Sequence, residues 1–211
     1  MISNRAVDFR LYLITDRKLF SSSDVMLEAI DKALQGGVKA VQLREKNFGI
    51  RELLDLAYRM RVLTASHGAR LFINDRVDVA VAVGADGVHL SRTSMPVQAA
   101  RKASEKRLMI GVSTHSLKEA QQAEVDGADF ITLGPVYETS SKMQYGRPIG
   151  IHLLSEAAGN CMIPVFAIGG IKIGSIQEVL EQGAYGAALI SAILTAEDIQ
   201  NTTEEFVRKL S

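Results

Sequence analysis

A closed (β/α)8 TIM barrel, formed as one domain over residues 1–211, is the fold this sequence predicts, and three observations predict it. Eight short apolar runs alternate with amphipathic segments along the whole chain. Runs such as Phe130-Ile131-Thr132-Leu133 are apolar on both sides of the pleat, which suits buried parallel strands better than half-exposed antiparallel ones. A glycine pair or Gly-Ala step also precedes an apolar run four times, at Gly36-Gly37, Gly84-Ala85, Gly127-Ala128 and Gly183-Ala184. A doubly wound open sheet is the structural alternative, but it usually has fewer strands, and no G-x-G-x-x-G follows the first run.

In chain order the expected strands are Leu11–Thr15, Ala40–Arg44, Leu71–Asn74, Gly87–Leu90, Met109–Ser113, Phe130–Gly134, Val165–Gly169 and Ala187–Ser191. Helical periodicity marks Val25–Gln35, Ile50–His67, Met95–Ala103, Leu117–Asp126, Ile149–Ala158 and Ile176–Gln182, several of them closed by glycine as helices prefer. The connection Glu138–Gly150 is longer, polar and glycine-bearing, and its place after a strand marks it as an active-site loop.

Bulk properties exclude several classes. Twenty-four basic and 24 acidic residues cancel without a long block of either sign, so nothing favours nucleic acid or an anionic membrane surface. The single Cys161 excludes an intrachain disulfide framework and reads as an inert core thiol. The N-terminus has no apolar signal core and no run of about 18 apolar residues occurs, so a cytoplasmic location is expected. Oligomeric state, including a homodimer, is left open.

In a parallel barrel the C-terminal strand ends and the loops after them converge on one mouth. Reading each strand to its end collects Thr15-Asp16-Arg17, Gln42 to Lys46, Asn74-Asp75-Arg76, His89, Ser113-Thr114-His115, Thr139 to Lys142, Gly169-Gly170 and Ser191. Arg44, Lys46 and Lys142, with Thr139 and Ser141, are the charge-assisted and hydroxyl donors that a polyphosphate needs. The competing reading makes Arg44 and Lys46 surface ion pairs with Glu45 or a neighbour. Gly169-Gly170 and Ser191 stand where this fold commonly cradles a second phosphate. Asp75 is placed to hold Mg²⁺, or else to cap a helix or pair with Arg76. Among the histidines, His67 and His152 read as structural, His89 as packed inside the barrel, and His115 as the acid-base candidate.

The ordered set Tyr12-Leu13-Ile14-Thr15-Asp16, Val41 to Lys46, Ile73 to Arg76, Gly84 to Leu90, Gly111 to His115, Gly134 to Tyr137 with Thr139 to Lys142, and Ala167 to Ile171 resembles the superfamily of thiamine phosphate synthases and thiazole tautomerases. The synthase resemblance implies that hydroxymethylpyrimidine pyrophosphate joins a thiazole phosphate, releasing pyrophosphate, with Mg²⁺ as cofactor. By the same resemblance Gln42, Arg44, Lys46, Asn74 and Lys142 hold the pyrimidine pyrophosphate, Asp75 ligands the metal, and Ser113 contacts the pyrimidine. Thr139, Ser141, Gly170, Ile190 and Ser191 receive the thiazole phosphate. Lys142, Ser113 and His115 are the expected catalytic groups.

One segment departs from the pattern. After Gly-Val-His-Leu the synthases continue Gly-Gln-Glu/Asp-Asp, the last Asp being a second magnesium ligand, whereas this chain reads Ser91-Arg92-Thr93-Ser94. The tautomerase branch lacks that carboxylate too and isomerises a carboxylated thiazole phosphate, a role His115 would serve. A non-catalytic thiazole phosphate sensor is the third reading. Gln42, Lys46, Asn74 and Asp75 keep pyrophosphate and metal equipment that a tautomerase does not need, which makes synthase the expectation.

Overall fold

The computed structural model describes residues 7–139 and 148–211. Eight parallel strands close on themselves in sequence order: β1 (Leu11–Ile14), β2 (Ala40–Leu43), β3 (Arg70–Asn74), β4 (Gly87–Leu90), β5 (Met109–Thr114), β6 (Phe130–Leu133), β7 (Val165–Ile168) and β8 (Gly186–Leu189). The seam is β1 on β8, where Tyr12 stands beside Ala188. Around them lie α1 (Ser23–Gln35), α2 (Ile50–Ser66), α3 (Val77–Ala82), α4 (Val97–Ala103), α5 (Leu117–Val125), α6 (Gly150–Asn160), α7 (Ile176–Glu181), α8 (Ser191–Leu194) and α9 (Ile199–Leu210). The expected (β/α)8 barrel is therefore the fold.

Period-two alternation sorts each strand between two cores. Outward residues such as Leu13, Val41, Leu71, Val88, Ile110 and Ile131 pack under the helices. Inward residues, led by Tyr12, Phe72, Phe130 and Phe166, fill the barrel, and Phe9 closes its floor with ring centroids 5.4–5.7 Å from all four. Such large rings need small neighbours. A Cβ on Gly87 would lie 2.3 Å from Phe72, and one on Gly111 would lie 2.4 Å from Phe130 and 2.5 Å from His89.

The Gly-Ala-Asp phrase has a structural cause at two of its copies. Asp86, just before β4, accepts the backbone N–H of Leu71 at 2.8 Å and pairs with Arg61 of α2 at 2.6 Å. Asp129, just before β6, repeats the arrangement with the N–H of Ile110 at 2.6 Å and Arg101 of α4 at 2.5 Å. Both arginines also donate to carbonyls at strand starts, Arg61 to Ala69 and Arg101 to Leu108. Each staple ties a helix to two strands at the N-terminal face of the barrel.

Several boundaries differ from expectation. The last strand stops at Leu189, and Ser191 opens α8, because Ile190 turns out of the strand with φ −127° and ψ −94°. The helix expected from Met95 begins at Val97, after Pro96, whose ring suits a helix start. The short α3 and α8 and the longer α9 were not among the amphipathic segments. Thus α3, Val-Asp-Val-Ala-Val-Ala, is apolar nearly all round, and α9 begins at a capping Asp198 that accepts the Asn201 N–H at 3.0 Å.

Candidate active site

Alternation carries the inward face of the strands upward from rings to polar groups. Gln42, Asn74, His89, Ser113 and Thr132 form this upper layer, two residues beyond Ala40, Phe72, Gly87, Gly111 and Phe130 respectively. The layer is hydrogen-bonded as a belt. Gln42 Nε2 donates to Asn74 Oδ1 at 3.3 Å, and Asn74 Nδ2 donates to Asp75 Oδ2 at 2.8 Å. His89 Nε2 meets Ser113 Oγ at 3.0 Å and Thr132 Oγ1 at 3.4 Å, while Nδ1 faces Tyr12 Oη at 3.4 Å. His89 is buried, as expected, and serves this belt rather than the open mouth.

Asp75 continues β3, its N–H donating to the His89 carbonyl at 2.9 Å, but takes φ +60°. That left-handed conformation is sparsely populated by residues other than glycine and recurs at functional sites. It aims the carboxylate at the β4 loop, where Oδ1 accepts the hydroxyls of Ser94 and, at 3.2 Å, Ser91. The two serines lie 2.8 Å apart, and the Ser91 N–H donates to Ser94 Oγ at 2.6 Å. Arg76 does not pair with Asp75; it is held by Asp78 through bonds of 2.9 and 2.5 Å. The salt-bridge reading of Asp75 is thereby replaced.

Arg44 is half-buried and Lys46 exposed after β2, and neither forms an ion pair among the described residues. The surface-pair reading of these two cations is therefore not what the side chains do. Opposite them, Val136 and Tyr137 extend β6 by donating to the carbonyls of Ile168 and Gly169 at 2.9 and 3.0 Å. Gly170 has φ +68°, and a Cβ there would lie 2.5 Å from the Glu138 carbonyl, so the backbones of two loops touch at this glycine. Thr139 borders that contact, half-buried. Ile190 and Ser191 stand at the start of α8. Ser141 and Lys142 lie outside the described residues.

His115 is exposed just past β5. Its Nδ1 meets the Gly134 carbonyl at 2.5 Å, and since a carbonyl only accepts, Nδ1 carries the proton and the neutral ring's lone pair is on Nε2. Its backbone N–H is held by Glu119 at 2.8 Å. His67 bonds Asp31 at 2.8 Å, joining α2 to α1, in keeping with a structural role. Cys161 is buried, and burial followed by the charge of Glu124 pushes its thiol up.

Thr15 was among the polar groups expected at the mouth, whereas Thr132 and Ser91 belong to the site although sequence reasoning did not single them out as ligands. Alternation from Phe130 would have found Thr132. No sequence signal distinguishes Ser91 from an ordinary loop serine. Among the described residues, no group of three His, Cys, Asp or Glu side chains converges, and no helix is long and apolar enough to cross a membrane.

A (β/α)8 barrel whose C-terminal mouth carries cations without ion-pair partners among the described residues, one strained carboxylate and close-packed glycine turns fits an enzyme class that handles phosphorylated small molecules. Within that class the chain belongs to the thiamine monophosphate synthase family, whose model matches residues 11–193. It is 54% identical to a putative thiamine-phosphate synthase of Geobacter sulfurreducens, over 91% of this chain and 90% of the relative. It is 42% identical to the thiamine-phosphate synthase of Halalkalibacterium halodurans, over 94% of each. A solved thiamine phosphate pyrophosphorylase from Pyrococcus furiosus superposes with a TM-score of 0.87 at 41% identity, covering 96% of this chain and 95% of that one.

Proposed function

We propose that this chain is a thiamine-phosphate synthase, a transferase that forms the C–N bond between hydroxymethylpyrimidine pyrophosphate and a thiazole phosphate and releases pyrophosphate. The observation that carries the reading is the arc Gln42, Arg44, Lys46, Asn74 and Asp75. Its amides are bonded to one another and its cations have no ion-pair partner among the described residues. Unneutralised cations beside fixed amide donors suit a diphosphate leaving group.

In this reading Arg44 and Lys46 bind the pyrophosphate and stabilise the charge that grows on it as the bond to the pyrimidine carbon breaks. Gln42 and Asn74 orient it, and Lys142 adds a third cation. Ser113, held by His89, touches the pyrimidine. Thr139, Ser141, Gly170, Ile190 and Ser191 hold the thiazole phosphate, so the ring nitrogen of the acceptor faces the same carbon.

Mg²⁺ fits this donor set, because magnesium is commonly held by one or two carboxylates and completed by substrate phosphates and water. Asp75 would hold it, with the Ser91 and Ser94 hydroxyls as neutral neighbours. When bound, the ion supplies charge neutralisation to the departing pyrophosphate.

His115 favours a second reading, thiazole tautomerase, since its ring is anchored through Nδ1 with Nε2 able to exchange a proton. The deciding experiment offers the purified protein each substrate set separately and identifies products by mass. Thiamine phosphate from the two-substrate set establishes the synthase, and isomerised thiazole carboxylate phosphate establishes the tautomerase. Binding of thiazole phosphate without either product leaves a sensor.

A further inference from the structure

The turn Thr15-Asp16-Arg17 at the end of β1 takes no part in the reaction as described, yet it is bound to the pyrophosphate arc through Glu45. This glutamate lies between Arg44 and Lys46 in sequence and forms a salt bridge with neither. Its carboxylate crosses instead to the neighbouring turn, where Oε1 accepts the Thr15 hydroxyl at 3.3 Å and the Arg17 backbone N–H supplies another bond. Thr15 is fully buried and its Oγ1 accepts the Arg44 N–H at 2.9 Å, so one hydroxyl spans both turns.

The charged groups around Glu45 are few. Asp16 and Arg17 come from the β1 turn with opposing effects, and Arg44 and Lys46 flank it on its own. The Arg17 guanidinium is turned toward the Phe20 and Ser21 carbonyls, with Nε buried and unpartnered, which limits its ability to hold Glu45 as an anion. Burial is the largest influence and raises the carboxyl to about 7, against the hydrogen bonds from Thr15 and the Arg17 backbone. At neutral pH the side chain is divided between its two protonation states.

We propose that Glu45 is a proton-accepting positioning residue of the anion site: it takes a proton from solvent onto its carboxylate when a pyrophosphate group settles against Arg44 and Lys46. An incoming multivalent anion disfavours a carboxylate held beside it, and a carboxyl already close to neutrality yields readily. The result is a rim that presents both cations uncompensated when the ligand is bound, and that regains a negative charge as pyrophosphate leaves. This rests on the synthase reading only in placing a pyrophosphate group at those two cations.

The test is calorimetry with inorganic pyrophosphate and Mg²⁺ at about pH 7.5, in two buffers of different ionisation enthalpy, on wild type and Glu45→Gln. Wild type should take up roughly half a proton more per pyrophosphate than the variant. Equal uptake overturns the proposal while leaving the synthase reading intact, and absence of pyrophosphate binding to wild type overturns both. Carbon-13 NMR of the Glu45 carboxyl in wild type supplies a reading that needs no variant. Its titration midpoint should rise on binding, and in the free protein it should rise further in Thr15→Val, which removes a bond to the charged form. A midpoint unmoved by pyrophosphate overturns the proposal.

Discussion

Ser94 donates its hydroxyl proton to Asp75 Oδ1, across the gap between the β3 and β4 loops. This places position 94 directly against the carboxylate proposed to hold the cation. The place where the family resemblance expects a second acidic ligand is thus occupied by a neutral donor that bonds the first. The Asp75 carboxylate accepts hydrogen bonds from Ser91, Ser94 and Asn74.

Ser94→Asp should therefore raise Mg²⁺ affinity in the presence of pyrophosphate by about tenfold, by adding charge to the ligand set. Mn²⁺ binding followed by electron paramagnetic resonance checks the affinity, and the Mg²⁺ dependence of thiamine phosphate formation checks its use. No gain in either, together with thiazole isomerisation that His115→Ala lowers about a hundredfold or more, would instead make the protein a tautomerase.

Gly170→Ala should disturb the acceptor side selectively. The backbone at φ +68° penalises a side chain by about 1–2 kcal/mol, and the new methyl would press on Tyr137 and Glu138. Steady-state kinetics should show the KM for the thiazole phosphate rising by about tenfold, with a smaller change for the pyrimidine substrate.

The two aspartate staples should differ in weight. Arg101 and Asp129 retain side-chain exposures of 14% and 16%, against 20% and 32% for Arg61 and Asp86. Removing either carboxylate strands an arginine and a strand N–H, at a cost of about 2–3 kcal/mol, and Asp129→Ala should cost more than Asp86→Ala. Urea unfolding of the two variants measures the difference.

Glu45 also sets a pH trend in stability. Its carboxyl in the folded protein lies at about 7, above the ordinary glutamate value of 4.5, so between these limits the native state binds more protons than the unfolded chain. Stability contributed by this group is present below pH 4.5 and is lost as pH rises toward and through 7. Glu45→Gln should remove that decline, and the melting temperature of the variant should gain on wild type between pH 5 and 8, a window spanning roughly those two values.

The barrel was legible because buried parallel strands write both faces into the sequence, and reading each strand to its C-terminal end reached Gln42 and Asn74. What escaped notice depends on partners distant in the chain. Arg61 and Arg101 carry no local sequence signal for the aspartates they meet at the next strand. The end of β8 was misplaced because Ile190 and Ser191 are compatible with a strand until the backbone turns. The family resemblance placed position 94 beside Asp75 at the metal site, but not the hydrogen bond by which the Ser94 hydroxyl occupies that carboxylate.

The Asp86 and Asp129 staples lie at the opposite end of the barrel from every group that would touch a substrate. The floor is held by its own ion pairs and aromatic rings. Changes at position 94 or His115 fall on residues that share no hydrogen bond or ion pair with that floor among the described residues. Catalytic novelty and structural persistence are then inherited from different ends of the same eight strands.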